Sequence, residues 1–147
     1  MFRGSFQTRT DEKGRLKVPA DFKRELEERF SGARFFITSK TGKTAEIYPM
    51  EVWEGIERKV MELPRTNVHR QRFLNATNYY GQVVEMDAQG RLLLPALLRE
   101  KANLKGEVSV VGNLDYLEVH NYEGFTKQIE EHPFTDEDAN ALSELGI

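Results

Sequence analysis

The chain contains no cysteine. That removes a disulfide framework, thiolate-ligated zinc and a cysteine nucleophile, and it suits a reducing compartment. No apolar run approaches the roughly 18 residues that a membrane helix needs. The N-terminus has no continuous apolar segment of signal-peptide type. The expectation is a soluble cytoplasmic protein without a membrane partner. His69, His120 and His132 are the only histidines and have no ligand spacing, so neither a metal site nor a cofactor is expected. Cations are missing from one end: Glu130 to Ile147 holds six acids and no Lys or Arg. Without those acids the formal charge of −3 becomes +3, and residues 1 to 19 alone carry +3. An acidic tail thus conceals a mildly basic body. Local charge, not pI, decides whether a face can meet phosphate.

What the chain does have is a repeat. "DEKGRLKVPA", Asp11 to Ala20, returns as "DAQGRLLLPA", Asp87 to Ala96, at an offset of 76 residues. The same order of elements follows each copy. Pro19 and Pro95 suit the first position of a helix. Phe22 and Leu26, then Leu98 and Ala102, lie four apart on one helical face, and Gly32 and Gly106 are placed to end those helices. Residues 34–38 and 45–48 flank a turn, as do 107–111 and 116–120, and both pairs read as hairpins. Trp53, Ile56 and Val60, then Phe125 and Ile129, mark second helices. Between the halves, Pro64 to Asn78 is polar and basic and reads as a connecting helix capped by Thr66 or Asn67. Thr135 followed by Asp136, Glu137 and Asp138 reads as a capped start of a last helix, with Ala139, Leu142 and Leu145 as its apolar stripe. The chain divides into a first unit at 5–48, a helical connector at 49–78, a second unit at 79–121, and a C-terminal helix with acidic tail at 122–147. With 147 residues, neither half can build its own core, so two copies must share one.

The repeated turn carries the chemistry. Arg15 and Lys17 alternate with Leu16 and Val18, which places the cations on one strand face and the apolar residues on the other. Gly14 and Gly90 fit a positive-φ position closing a tight hairpin. Asp11 and Asp87 can accept from the turn's own N–H groups and pair with the arginine four positions on, fixing its direction. Arg9, Lys13, Arg15 and Lys17 surround the first turn and repel one another unless an anion arrives. A two-stranded ribbon fits the DNA major groove, and a guanidinium can bind guanine O6 and N7 together. In the second copy Arg9, Lys13 and Lys17 become Glu85, Gln89 and Leu93. The first half is therefore expected to make most phosphate contacts, and the second to act through Arg91.

Two enzyme readings fail on pattern. "SKTGKT", Ser39 to Thr44, resembles the end of a phosphate-binding loop, but position 37 is Ile where that loop needs glycine. One aspartate per half is the layout of an aspartic protease, yet here each has a matched arginine to neutralise it. No catalytic residue is assigned.

"MFRGSFQTRTDEKGRLKVPA", the doubled Asp-x-x-x-Arg with Gly-Arg-Leu-x-x-Pro-Ala, and "YYGQVVEMDAQGRLLLPA" closely resemble the MraZ family of bacterial transcriptional regulators. The likeness runs to about His132. It implies a mainly β fold with flanking α-helices: two tandem AbrB-like swapped-hairpin units forming a pseudo-twofold β-barrel. It implies ring-like homo-oligomers associated with the nucleoid. It implies binding to double-stranded DNA at G-rich direct repeats upstream of the cell-division and cell-wall gene cluster, the protein's own promoter included. The family's DNA-contacting motif falls on Asp11 with Arg15 and Asp87 with Arg91. The alternative on the same fold is an oligomeric protein-interaction module or an antitoxin-like protein. Such proteins normally carry one copy and a long partner-binding tail.

Overall fold

Three helices start directly after a proline. Pro19, Pro49 and Pro95 hold φ between −53 and −55° at the residue before the first helical turn, one position earlier than the sequence placed Pro19 and Pro95. The computed structural model describes Met1 to Ile147. The elements run β1 (Ser5–Arg9), β2 (Arg15–Lys17), α1 (Ala20–Arg29), β3 (Arg34–Thr38), β4 (Ala45–Pro49), α2 (Met50–Met61) and α3 (Val68–Tyr79). The second half adds β5 (Gln82–Glu85), β6 (Arg91–Leu93), α4 (Ala96–Lys101), β7 (Glu107–Asn113), β8 (Tyr116–Asn121), α5 (Tyr122–Glu131) and α6 (Asp136–Ser143).

All pairing is antiparallel. A six-stranded sheet has the order β1-β7-β8-β4-β3-β5, and a separate two-stranded ribbon pairs β2 with β6. Exchange each strand for its repeat counterpart and the six-strand order reads the same from the other end. The expected β3–β4 and β7–β8 hairpins are present. The expected local hairpin around each repeated turn is not. After the Thr10–Leu16 bridge the two arms part: β1 joins β7, and β2 crosses to β6 of the other half. The reason is apolar burial. Pairing β2 with β6 sets Leu16 opposite Leu92, both with no exposed surface. A local hairpin could not bring these two strands together.

One core of eighteen buried residues results, drawn equally from the two halves. Leu16, Val18, Phe22 and Leu26 meet their repeat counterparts Leu92, Leu94, Leu98 and Ala102 in it. Residues of this kind are worth about 1.5–3 kcal/mol each when fully buried, so neither half would keep its strands without the other. A smaller aromatic cluster joins Phe36 of β3 and Tyr48 of β4 to the helices, where Trp53 of α2 stacks on Phe36 at 4.7 Å and on Phe73 of α3 at 6.0 Å.

Helix ends differ from expectation in two places. α1 stops at Arg29 because Phe30 turns extended and packs on Phe2, ahead of Gly32. α4 stops at Lys101, and Asn103 takes the left-handed conformation at φ 52° before Gly106 takes it at 85°. Asparagine tolerates that region better than most residues. Asn67, not Thr66, caps α3, accepting from the amides of His69 and Arg70 at 2.9 and 3.0 Å. α6 has the expected Thr135–Asp138 capping box, but of its stripe only Leu142 is partly covered, and the helix fully buries no residue. No helix is long and apolar enough to cross a membrane.

Candidate nucleic-acid interface

The β2–β6 ribbon is three residues long on each side, with Arg15 opposite Leu93, Leu16 opposite Leu92 and Lys17 opposite Arg91. Two further bonds extend it, Val18 N to Gly90 O and Leu94 N to Gly14 O, each 3.0 Å. Strand alternation sends Leu16 and Leu92 into the core and turns Arg15, Lys17, Arg91 and Leu93 outward. The two repeated turns precede antiparallel strands, so they stand at opposite ends of this outer face.

Each turn is closed by its aspartate. Asp11 Oδ1 accepts from the backbone amides of Lys13 and Arg15 at 3.0 and 2.9 Å, while Oδ2 accepts from Arg15 Nε at 2.7 Å. Asp87 repeats the pattern with Gln89, Arg91 and Arg91 Nε at 2.9, 2.9 and 2.8 Å. The arginine amide, and after it the guanidinium, holds each carboxyl below the ordinary carboxylate range. Two aspartates that must share a proton would have one value raised instead, so this geometry is the reverse of a protease dyad. Asp11 Oδ2 is also 4.0 Å from Arg91 Nη1, which places it between the guanidiniums of both halves. These pairs are partly exposed and screened by solvent, so they add little to stability. Their effect is orientation: with Nε occupied, each arginine keeps its terminal nitrogens for an outside acceptor.

The structure gathers Arg15, Lys17 and Arg91 on one face, with exposed Lys13 on the first turn. Neither lysine has an ion-pair partner within 4.0 Å, whereas Arg9 lies apart on β1, 3.5 Å from Glu107. Gly14 and Gly90 hold φ of 83 and 75°, as their turns require. A Cβ on Gly14 would lie 2.2 Å from the Arg99 guanidinium, and one on Gly90 would lie 3.2 Å from Lys23 Cδ. Lys23 and Arg99 are repeat counterparts, and each lies against the turn of the opposite half. Sequence reasoning missed both. The signal was available, since the 76-residue offset matches one basic residue with the other.

Ser39 to Thr44 forms the turn between β3 and β4, with Ser39 Oγ accepting from the Gly42 amide at 2.8 Å. A strand follows, not the helix that a phosphate-binding loop needs.

A family model described as "MraZ protein, putative antitoxin-like" matches residues 1–76 and 81–145. A protein of Koribacter versatilis named "Transcriptional regulator MraZ" is 58% identical over 147 residues, the full length of both chains. A protein of the same name from Acidobacterium capsulatum is 56% identical, again over the full length of both. A third, from Moorella thermoacetica, is 40% identical over 112 residues, covering 76% of this chain and 75% of its own.

Proposed function

This chain belongs to the MraZ family, and from that premise we propose that it is a sequence-specific DNA-binding transcriptional regulator. The observation that carries the proposal is the outer face of the β2–β6 ribbon. There Arg15 and Arg91 are each aimed by an aspartate, with Lys17 between the turns and Lys13 beside them. Arg15 and Arg91 read base edges in the major groove, and Lys13, Lys17 and Arg9 answer phosphates. The target is a set of G-rich direct repeats upstream of the cell-division and cell-wall gene cluster, with the protein's own promoter among them. Tandem AbrB-like swapped-hairpin units wrapped into a pseudo-twofold β-barrel are the architecture we infer. The exchanged strand order and the core shared by both halves support it. A ring-like homo-oligomer on the nucleoid would meet repeated boxes with repeated subunits, so that weak single contacts gain from effective concentration.

The test is a fluorescence-anisotropy titration across salt, using a duplex from upstream of the gene and a scrambled duplex of equal length. Wild type prefers the upstream duplex, and Arg15→Ala loses about 1–3 kcal/mol of that preference per site with its oligomer intact. If neither protein distinguishes the duplexes, the turn is structural. The antitoxin-like interaction module then becomes the reading to pursue.

A further inference from the structure

Behind the first turn lies a polar cleft of about 290 Å³. Arg9 of β1, Arg99 of α4 and Lys105 supply its cations, Gly14 part of its backbone wall, and Asp11 and Glu12 its acids. Asp11 is committed to Arg15 and two amides. Glu12 is therefore the one uncommitted carboxylate lining it, against three cations. Arg9 is loosely held by Glu107 at 3.5 Å, while Arg99 and Lys105 have no ion-pair partner. Arg99 is half-buried. Its Nε donates to Leu94 O at 3.0 Å, and its terminal nitrogens have no acceptor within the chain.

The duplication provides an internal control. The equivalent cleft behind the second turn, about 380 Å³, is lined by Leu26, Phe30, Phe35 and Met86, with Lys23 at Asp87. Both clefts sit on the same scaffold and close the same Asp–Gly–Arg turn. What they share the fold requires, and what they do not share it does not. The three-cation lining is peculiar to the first, where Arg9 stands in place of Glu85.

We propose that the cleft behind the first turn is a phosphate-binding site, and that Arg99 and Lys105 grip one backbone phosphodiester of the duplex beside the base that Arg15 reads. The inference rests on the DNA-binding reading above and extends it in one respect: cations of the second half hold phosphate for the turn of the first. Phosphate contacts set register and affinity but carry no sequence information, so this site accounts for affinity and Arg15 for choice.

The experiment uses the full chain and the upstream and scrambled duplexes, with log Kobs measured against log salt concentration. The variants are Arg99→Gln, Lys105→Gln, their double, Arg99→Lys, and Lys101→Gln as a control on the exposed side of α4. Releasing one phosphate lowers the slope by about 0.9. The double variant is expected to lose that much on both duplexes alike, keeping the wild-type ratio between them. Arg99→Lys retains the slope, and Lys101→Gln matches wild type. If the double variant matches Lys101→Gln, the cleft holds no phosphate. If Arg99→Lys loses as much as Arg99→Gln, the residue only supports Gly14, and the proposal also falls. Failure of the regulator reading looks different: wild type itself would not distinguish the duplexes, and the slopes would still report on the cleft.

Discussion

Three glycines in the left-handed region form a graded series. Gly14, Gly90 and Gly106 hold φ of 83, 75 and 85°. An alanine there costs about 1–2 kcal/mol, offset by about 0.4–1 kcal/mol because alanine restricts the unfolded chain. Nothing lies within 4 Å of a Cβ on Gly106, so Gly106→Ala should lose about 1 kcal/mol and no more. On Gly90 the new methyl meets Lys23 methylenes at 3.2 and 3.3 Å, which a flexible side chain can relieve. A few tenths of a kcal/mol are added. On Gly14 it falls 2.2 Å from the Arg99 guanidinium. Arg99 must leave, giving up its bond to Leu94 O, worth about 1 kcal/mol. Gly14→Ala should therefore lose about 2 kcal/mol. Urea unfolding at one fixed protein concentration measures all three, provided the slopes agree. A double-mutant cycle isolates the cause: in an Arg99→Ala background, Gly14→Ala should cost no more than Gly106→Ala. Three equal losses, or a Gly14 loss that survives removal of Arg99, would refute the reasoning.

Further outcomes are expected elsewhere in the molecule. Leu16→Ala and Leu92→Ala, each at a fully buried site opposite the other, should each cost about 2–5 kcal/mol; because they touch, urea unfolding of the double variant should depart from the sum. Asp11 and Asp87 have folded values below the ordinary 3.8. The stability they supply is therefore present above that value and lost as pH falls through the lower folded ones. Asp11→Asn with Asp87→Asn should flatten acid unfolding below about pH 4 while leaving the shape near neutrality unchanged. Asn67→Ala, which uncaps α3, should lower the unfolding free energy in urea by about 1 kcal/mol. Thr135→Ala should fray α6 in amide exchange and leave the midpoint where it was, since that helix fully buries no residue.

Much of this was legible in the sequence. The alternation of Arg15 and Lys17 with Leu16 and Val18 gave the strand's two faces, because side chains of a strand point alternately. Asp11 and Asp87 gave their own turns and arginine partners, because those bonds span only four residues. What alternation cannot give is the identity of the neighbouring strand. Leu16 and Leu92 require cover, but nothing local says that they cover each other, so the pattern alone predicts a tight hairpin at each turn and not the β2–β6 pairing. Lys23 and Arg99 escape local pattern for the same reason: each lies against a turn of the other half, 67 and 85 residues away in sequence. Phe30 ended α1 early because a tertiary contact with Phe2 outweighed a nearby glycine.

The exchanged strands also set a timetable for the nascent chain. Strand β1 is among the first segments made, and its partner β7 ends at Asn113. At roughly 5–20 residues/s of synthesis, Ser5–Arg9 waits on the order of 5–20 s for a strand to pair with. Leu16 waits for Leu92, and β3 for β5. During that interval only short helices and the β3–β4 hairpin can form, with Phe22, Leu26 and Ile37 uncovered. A chain halted at residue 80 is thus not half a protein but an adhesive peptide, and the fold closes only when translation is nearly done.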